Sequence, residues 1–324
     1  MKIVSLAEEP SWEKKILSIL NRGLERDFIR PYTYQRVLKD DPNADSNFIL
    51  LAIEQDDLIG VLIGVRRTKS PEEVIEKQKE MAWVKAIAIP PEKRNRAVFN
   101  ALYSRFEQLV REDGRKLIRF GDFASWYFFP GIDVIYEYYL ENLMSVGFKK
   151  VGEVVNYELD LTRFYIPARI MRIENKLVNN HFFFRKARLE EKGELVSWVR
   201  DVFSPFWAYE LSCGLRRSGT SVWLAEHEGK IVGFAAYSVL EPDWFGPIGV
   251  DQKERRKGIG TVLLYKALNS LRLDGHRLVT IPWTELLFFY SQLPGIIAIR
   301  HFFRVAKELV PSSHLQEDIK TGGG

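Results

Sequence analysis

The most constraining feature of this sequence is an internal repeat, because separate stretches of the chain carry the same patterns in the same order. The stretch 51–65 matches the stretch that begins at Leu224, and each has two apolar runs joined by a short polar turn, which predicts a β-hairpin. Two further blocks follow in order. The aligned pairs include Ala52 with Ala225, Gly60 with Gly233, Arg94 with Arg255, Leu102 with Leu263, Asp113 with Asp274, Gly114 with Gly275, and 130–132 with 294–296. Three blocks in one order indicate two copies of one domain.

In each copy the residue pattern predicts the same succession of elements: strand, amphipathic helix, hairpin, apolar strand, basic turn, long helix and second strand. This succession is typical of an α/β (α+β) fold with a mixed sheet. In the second copy the predicted strands are 182–187, 245–250 and 276–281, and the predicted helices are 190–202 and 260–273. We therefore expect two tandem domains at 1–162 and 181–324, joined by a charged connector at 163–180 that has helical character over 167–178.

Composition narrows the class of protein. The 324 residues are 46% hydrophobic and 28% charged, with a net charge of +4, which is typical of a globular protein and too weak for a dedicated nucleic-acid binder. The single cysteine, Cys213, excludes a disulfide framework, and five scattered histidines argue against a zinc site. No stretch has the pattern of a signal peptide or a membrane span. We expect a cytoplasmic protein that uses no metal, no membrane and no specific nucleic acid.

The clearest chemical signal is an apolar strand, ending at 248–250, that runs into a basic turn with spaced glycines and then a long helix. Glycines at 258 and 260 remove side chains where backbone N–H groups would approach a ligand, and the free N–H groups of a helix N-terminus attract phosphate. The turn matches neither a Rossmann nor a Walker motif. It predicts a diphosphate site. The predicted binding residues are Ile248, Gly249, Val250, Arg255, Arg256, Lys257, Gly258, Ile259, Gly260 and Thr261.

The stretch Arg255-x-x-Gly258-x-Gly260 resembles the [QR]-x-x-G-x-[GA] motif of the GNAT superfamily of N-acetyltransferases, and the order of strands in both copies is similar to that family. The resemblance implies two tandem acyl-CoA N-acyltransferase (GNAT) domains. It also implies acetyl-CoA as the co-substrate, with its diphosphate held by the loop and its pantetheine and thioester oriented by the preceding strand. An amine would attack the thioester directly, without a covalent enzyme intermediate.

The first copy departs from this motif. It carries Ala97 where the second copy has Gly258, and Phe99 where the second copy has Gly260. A phenyl ring would crowd the diphosphate, and each charge-assisted hydrogen bond that is lost costs about 1.5–3 kcal/mol. We expect that the N-terminal copy no longer binds CoA, and a retained but rearranged site is the alternative.

Acyl transfer to an amine needs an acid and a base near the thioester. Tyr290 resembles the tyrosine that many GNAT enzymes use as general acid, but the residues after it depart from the family pattern, so a packing role is the alternative. Glu241, with Asp243 close by, precedes the cofactor strand, and Glu285 follows the second strand. Both glutamates are candidates for the base. The alternatives are a solvated turn for Glu241 and a helix N-terminal charge for Glu285.

The two copies differ at their ends. After its last helix the first copy continues into a strand over 151–161, whereas the second copy is predicted to end in a helix over 296–309 and a polar, disordered tail over 310–324. The second sheet would then have an unpaired edge. We expect the first domain or a second subunit to cover that edge, so that an isolated 181–324 fragment would aggregate.

The function that these features favour is transfer of an acetyl group from acetyl-CoA to a primary amine, of a small molecule or a protein, by a monomer or homodimer. Two alternatives stay open: a non-catalytic acyl-CoA sensor, and a tandem transferase similar to the aminoacyl-tRNA-dependent peptidyl transferases. Those transferases generally lack an intact phosphate loop, which Gly258 and Gly260 provide here. Nothing in the sequence identifies the acceptor.

Overall fold

The computed structural model describes residues 1–309, which form two compact units. The first unit contains Met1–Val154 and, among the described residues, 301–309, whereas the second contains Val155–Arg300. These bounds differ from the predicted domains at 1–162 and 181–324 because two strands pass from one unit into the other. The predicted disordered tail at 310–324 lies outside the described residues. Across residues 1–309, no helix is long and apolar enough to cross a membrane.

Strands and helices follow one another along the chain much as the repeat predicts. In the first half they are β1 (Lys2–Ser5), α1 (Glu13–Gly23), α2 (Pro31–Tyr34), β2 (Ile49–Glu54), β3 (Asp57–Val65), α3 (Ile75–Gln78), β4 (Met81–Ala88), α4 (Arg96–Glu112), β5 (Leu117–Phe120), β6 (Ile132–Asp133), α5 (Glu137–Ser145) and β7 (Lys149–Asp160). They continue with α6 (Ala168–Val178), β8 (Phe182–Lys186), α7 (Lys192–Val202), α8 (Pro205–Gly214), β9 (Ser221–His227), β10 (Lys230–Tyr237), β11 (Phe245–Val250), α9 (Ile259–Leu273), β12 (Leu278–Thr284), α10 (Leu287–Tyr290) and β13 (Ile296–Glu308). Single 3₁₀ turns lie at Pro10–Trp12, Ser46–Phe48, Glu72–Val74, Pro91–Lys93, Leu189–Glu191 and Gln252–Glu254, and a π-helical turn lies at Gln35–Lys39.

The first unit is built on a sheet in the order β1-β2-β3-β4-β5, with the C-terminal part of β13 beside β5. β4 and β5 run parallel from the pair Met81↔Leu117 to the pair Val84↔Phe120, and the other neighbours in this sheet are antiparallel. α1 packs against β3 and β4, and α4 packs against β2 and β3. The apolar faces of these two helices bury the sheet in one core.

The predicted C-terminal helix over 296–309 is wrong, because these residues form strand β13. Its second half pairs antiparallel with β5, from Val305↔Phe120 to Glu308↔Leu117. The segment has apolar residues at both helical and strand spacing and contains several β-branched residues, so its local pattern does not decide between the two structures. The free edge of β5 decides, since a strand placed there buries Val305 completely.

The second unit holds an antiparallel sheet in the order β8-β9-β10-β11 and a separate ladder between β12 and the second half of β7. Successive side chains of β10 point to opposite faces of the sheet, as strand geometry requires. Phe234 and Ala236 pack with α7 and α8, whereas Ala235 and Tyr237 pack with α9. One sheet thus separates two apolar layers, and β11 at its edge borders the ladder of β12.

The predicted unpaired edge of the second sheet is covered within the second unit. Residues 155–160 of β7 pair antiparallel with β12, from Leu278↔Asp160 to Ile281↔Tyr157. These residues precede the predicted boundary at 162. A strand that the sequence assigns to the first copy therefore pairs with β12.

The predicted connector at 163–180 is an integral part of the second unit. Its helix α6 buries Ile170 and Leu177 in the same core as α9. Glu174 of α6 pairs with Lys266 of α9 at 2.7 Å. α6 is therefore held against α9 by apolar packing and by charge.

Candidate functional site

β11 and β12 separate after one point of contact. Trp244 bridges Thr280 in parallel orientation, and the Thr280 N–H donates to the Asp243 carbonyl at 3.0 Å. Beyond this bridge β11 continues along β10, with Gly249 opposite Phe234. Alternate residues of an antiparallel strand direct their peptide groups to opposite sides. Part of the β11 backbone therefore faces the gap that opens towards β12.

α9 begins soon after β11, and no side chain caps its N-terminus. The chain passes from β11 through the turn Gln252–Glu254 to the N-cap residue Gly258, whose φ of 95° lies in the left-handed region. The N–H groups of the first turn have no partners within the helix, and the N-cap residue offers no side chain to accept from them. These N–H groups and the helix dipole together form an anion site.

The cations of this loop are placed by contacts to the protein itself. The Arg255 Nε–H donates to the Val250 carbonyl at 3.1 Å, which ties the loop to the end of β11. Lys257 pairs with Glu254 at 2.7 Å, and Arg256 is exposed. A cleft of about 560 Å³ opens beside them and is lined by Val202, Asp251, Gln252, Lys253 and Arg255. Its size and the neighbouring cations are compatible with an anionic ligand.

The two glycines of the motif have different steric surroundings. A Cβ atom on Gly258 would lie 2.6 Å from Ile173 Cγ2, a side-chain atom of α6. A Cβ atom on Gly260 would meet nothing closer than Val250 at 3.5 Å and Phe289 at 3.6 Å. Position 258 therefore requires glycine, whereas position 260 has room for alanine. Ile173 was missed by sequence reasoning, because only the packing of α6 brings it to the loop.

Gly249 allows an aromatic side chain to approach the cofactor strand. A Cβ atom there would lie 2.6 Å from the ring of Phe203, which follows α7. Phe203 belongs to a cluster with Trp198, Trp207 and Phe234, whose ring centroids are 5.3 to 6.1 Å apart. Sequence reasoning missed this cluster too, since its members come from α7, α8, β10 and the residue that follows α7.

In the first unit the corresponding helix N-terminus, that of α4, is capped and covered by side chains of the protein itself. Asn95 caps α4, and its side chain accepts from the Val98 N–H at 3.0 Å. Phe99, which stands where the second unit has Gly260, is fully buried and stacks with Tyr103 at 6.2 Å. The N–H groups of this helix start are thus partly satisfied, and the space beside them is filled by a ring.

Side chains of the first unit also form hydrogen bonds with the backbone at the end of β4, the strand that precedes α4. The Tyr139 hydroxyl accepts from the Ile89 N–H at 2.8 Å and donates to the Gly23 carbonyl at 2.8 Å. Burial raises the pKa of Tyr139, so its hydroxyl keeps the proton that it donates. Arg94, the first residue of the degenerate motif, donates to the Ile89 carbonyl at 3.2 Å. The cavity between β4 and β5 measures about 10 Å³, which is room for about one water molecule.

Tyr290, the predicted acid, lies at the end of α10 and is 5% exposed. Its ring packs against Phe245 of β11 at 6.4 Å and against Tyr157 at 5.7 Å. Burial, and secondly the neighbouring Tyr157, raise the pKa of Tyr290. The phenol is therefore protonated at neutral pH, as a proton donor must be.

The two predicted bases have opposite environments. Glu241 is 1% exposed in the turn between β10 and β11, and its backbone carbonyl accepts from the Trp244 N–H at 3.1 Å. Because Trp244 forms the bridge to β12, this turn lies at the closed end of the gap between the strands. Glu285 is exposed and follows β12 directly.

Comparison with known proteins finds a family match within the second unit. Residues 189–286 match the model of the acetyltransferase (GNAT) family. This region therefore forms a GNAT domain, and it contains the whole of β9 to β12 with the diphosphate loop. The resemblance drawn from the motif at 255–260 is confirmed.

Solved structures share the fold over nearly the whole chain. The GCN5-related glucosamine N-acetyltransferase region of a fungal multi-domain GH3 β-N-acetylglucosaminidase is 16% identical over 94% of this chain, with a TM-score of 0.76, and this chain spans 38% of that protein. A tandem GNAT protein from the clavulanic acid biosynthesis pathway is 16% identical, with a TM-score of 0.67 and coverage of 96% of this chain and 99% of that one. A GCN5-related N-acetyltransferase from Sphaerobacter thermophilus is 15% identical, with a TM-score of 0.68 and coverage of 96% of both chains.

At these identities the likeness establishes the fold. The predicted mixed α/β fold is confirmed, and it is similar to that of tandem GNAT proteins over nearly the whole chain. None of the curated proteins compared with this chain matches its sequence.

Proposed function

We propose that the second unit is an N-acetyltransferase that transfers an acetyl group from acetyl-CoA to a primary amine. The observation that carries this proposal is the uncapped N-terminus of α9, which follows β11 beside the gap between β11 and β12. A diphosphate and an extended acyl arm need such an anion site next to exposed strand backbone. The GNAT domain at 189–286 supports the same general chemistry.

We assign the cofactor contacts to the segment from 248 to 261. The N–H groups of Ile259, Gly260 and Thr261 hold the diphosphate, since they belong to the uncapped first turn. Arg256 and Lys257 add positive charge there, and Arg255 fixes the loop to β11. The backbone of 248–250 orients the acyl arm of the co-substrate.

In this proposal the chain's own residues move the protons. Acetyl-CoA supplies the acyl thioester, which an unprotonated amine attacks directly. Glu241, in the turn at the closed end of the gap between β11 and β12, accepts the amine proton through water, and Glu285 is the alternative base. Tyr290 donates a proton to the departing thiolate, and its raised pKa keeps that proton available.

We propose further that the first unit binds no CoA and has a structural role. Phe99 fills the space beside the N-terminus of α4, and the Tyr139 hydroxyl accepts a hydrogen bond from the backbone N–H of Ile89. The cavity of about 10 Å³ between β4 and β5 is far too small for the arm of a cofactor. These contacts support the expectation, drawn from Ala97 and Phe99, that the first unit does not bind CoA.

Calorimetric titration with CoA and a thiol-release assay with acetyl-CoA test these proposals on the full chain. We expect one CoA site per chain and thiol release that depends on an added amine. The amine panel includes glucosamine, which the name of one structural neighbour mentions, together with polyamines and a lysine peptide.

Each alternative function has its own signature in these assays. CoA binding without amine-dependent thiol release would favour the acyl-CoA sensor. No CoA binding would overturn the proposal and favour a transferase of the aminoacyl-tRNA-dependent kind. Two CoA sites per chain would contradict the structural role of the first unit.

A further inference from the structure

His227, the last residue of β9, lies beside the diphosphate loop. Its Nδ1 is 3.9 Å from a carboxylate oxygen of Glu254, and the two side chains are 25% and 18% exposed. The imidazole stacks on the ring of Phe182, with centroids 4.0 Å apart and an angle of 11° between the ring planes. This stacking holds the imidazole next to Glu254.

Glu254 belongs to the segment that leads into α9. It ends the turn Gln252–Glu254, and its N–H donates to the Asp251 carbonyl at 2.9 Å. Its carboxylate pairs with Lys257 at 2.7 Å, and the Lys257 ammonium lies 5.5 Å from the centroid of Phe182. Glu254 is thus shared between a lysine of the loop and a side chain whose charge depends on pH. A carboxylate next to an anion site opposes anion binding unless a cation neutralises it.

The first unit makes the same contact with its charges reversed. By the repeat alignment, Glu54 corresponds to His227 and Lys93 corresponds to Glu254. Lys93 Nζ lies 3.9 Å from a carboxylate oxygen of Glu54, the same separation as in the second unit. The copy with the filled cradle has a lysine beside a glutamate at this contact, whereas the copy with the open cradle has an imidazole beside the glutamate.

We propose that His227 is a positioning residue for the diphosphate loop and acts through Glu254 when its imidazole is protonated. The imidazolium then neutralises Glu254 and leaves Lys257 available to the diphosphate. CoA affinity is then higher wherever the side chain at 227 carries a positive charge. This inference rests on the proposed function, because it requires that the loop binds CoA.

The other charged and titratable groups near His227 determine which control variant the measurement needs. Lys230 on β10 is its cross-strand partner, and Glu226 and Glu228 are its neighbours in the chain. Arg185 lies on β8, and His181 precedes β8. Glu226 is paired with Arg185. His181 is the other histidine in this group. His181 therefore provides the matched control, and asparagine tolerates its φ of 64°.

Calorimetric titration of the full chain with free CoA from about pH 5.5 to about pH 8.5 tests the proposal. We compare the wild type with His227→Gln, His227→Lys and His181→Asn. The wild type should bind CoA about threefold more tightly than His227→Gln at the low end of the range and equally at the high end. His227→Lys should keep the tighter binding throughout, and His181→Asn should follow the wild type. Titration of the CoA phosphates is common to all four proteins and cancels in these ratios.

The outcomes separate this inference from the function on which it rests. Parallel affinity profiles for the wild type and His227→Gln would overturn the role of His227 and leave CoA binding intact. No CoA binding by any of the proteins would overturn both. Thermal unfolding without ligand checks that each variant is folded. If a variant at 227 fails to fold, Glu254→Gln removes the same ion pair through its other partner. Like His227→Gln, Glu254→Gln should lack the dependence of CoA affinity on pH that the wild type shows.

Discussion

A methyl group of Ile173 on α6 lies 2.6 Å from the position that a Cβ atom on Gly258 would occupy. A helix that the sequence presents as a connector is therefore packed against the residue that begins the diphosphate loop. Gly258 is required for two reasons, since its φ of 95° is also unfavourable for any residue with a side chain. The position of the loop depends on α6 as well as on β11 and α9.

We expect Gly258→Ala to reduce CoA affinity at least about tenfold. The new methyl group adds backbone strain of about 1–3 kcal/mol and collides with Ile173, so the loop must move. Calorimetric titration with CoA measures the loss.

Gly260→Ala is the matched control, because its methyl group would meet nothing nearer than 3.5 Å. It should bind CoA within about twofold of the wild type. Gly260→Phe copies Phe99 into the second unit and should abolish binding. Equal losses for the two alanine variants would contradict the steric difference between positions 258 and 260.

We expect Tyr290→Phe to lower kcat by at least about a hundredfold without changing CoA affinity, because it removes the proposed proton donor and keeps the buried ring. The pKa of Tyr290 is raised, so its deprotonation should cause no loss of activity below about pH 10. Steady-state kinetics across pH, with the most active amine, measure both effects. Tyr157→Phe is the control in the same cluster of rings. A kcat for Tyr290→Phe equal to that of the wild type would leave Tyr290 with a packing role.

We expect Phe302→Ala to destabilise the first unit by about 3–5 kcal/mol, since Phe302 of β13 is fully buried. Amide hydrogen exchange at Leu117–Phe120 reports on this loss, because β5 pairs with the second half of β13. Ile299→Ala on the same strand is the control, as Ile299 is 52% exposed and should change stability by less than about 0.5 kcal/mol. Unchanged exchange in Phe302→Ala would show that β13 contributes little to the first unit.

We expect the first unit to become more stable as the pH rises from about 8 to about 10.5. Lys85 and Asp41 form a buried pair with Nζ 2.5 Å from Oδ2, and burial lowers the pKa of Lys85 from 10.5 to about 8 although Asp41 opposes the shift. Between those values the unfolded chain holds a proton that the folded chain has released, so the free energy of unfolding rises with pH. Denaturant unfolding at several pH values measures this rise.

The double variant Lys85→Met/Asp41→Asn is the reference for that experiment, because it removes both charges and should not show the rise. Lys85→Met alone leaves Asp41 buried without its cation and should cost about 3–5 kcal/mol. A rise with pH that is the same in the wild type and the double variant would assign it to other groups.

The parts of the second unit that local pattern defines agree with the sequence-based predictions. The cofactor strand has the predicted bounds, Phe245–Val250, and α9 begins one residue before the predicted start. Strand, turn and helix N-terminus follow from side chains close together in the chain, namely apolar residues, spaced glycines and a helical period. That the first copy binds no CoA stays a prediction drawn from Phe99 in place of glycine, and the structure shows the Phe99 ring buried near the start of α4.

What the sequence by itself determined is the repeat and the mixed α/β fold, and it predicts one intact phosphate loop. The tertiary structure decided that 296–308 is a strand, that 155–160 pairs with β12, and that the Tyr139 hydroxyl accepts a hydrogen bond from the backbone N–H of Ile89. The physical reason is the range of the interactions. A segment whose apolar residues satisfy both a helical and a strand period takes its structure from the free sheet edge that it meets, and that edge is contributed by residues far away in the chain.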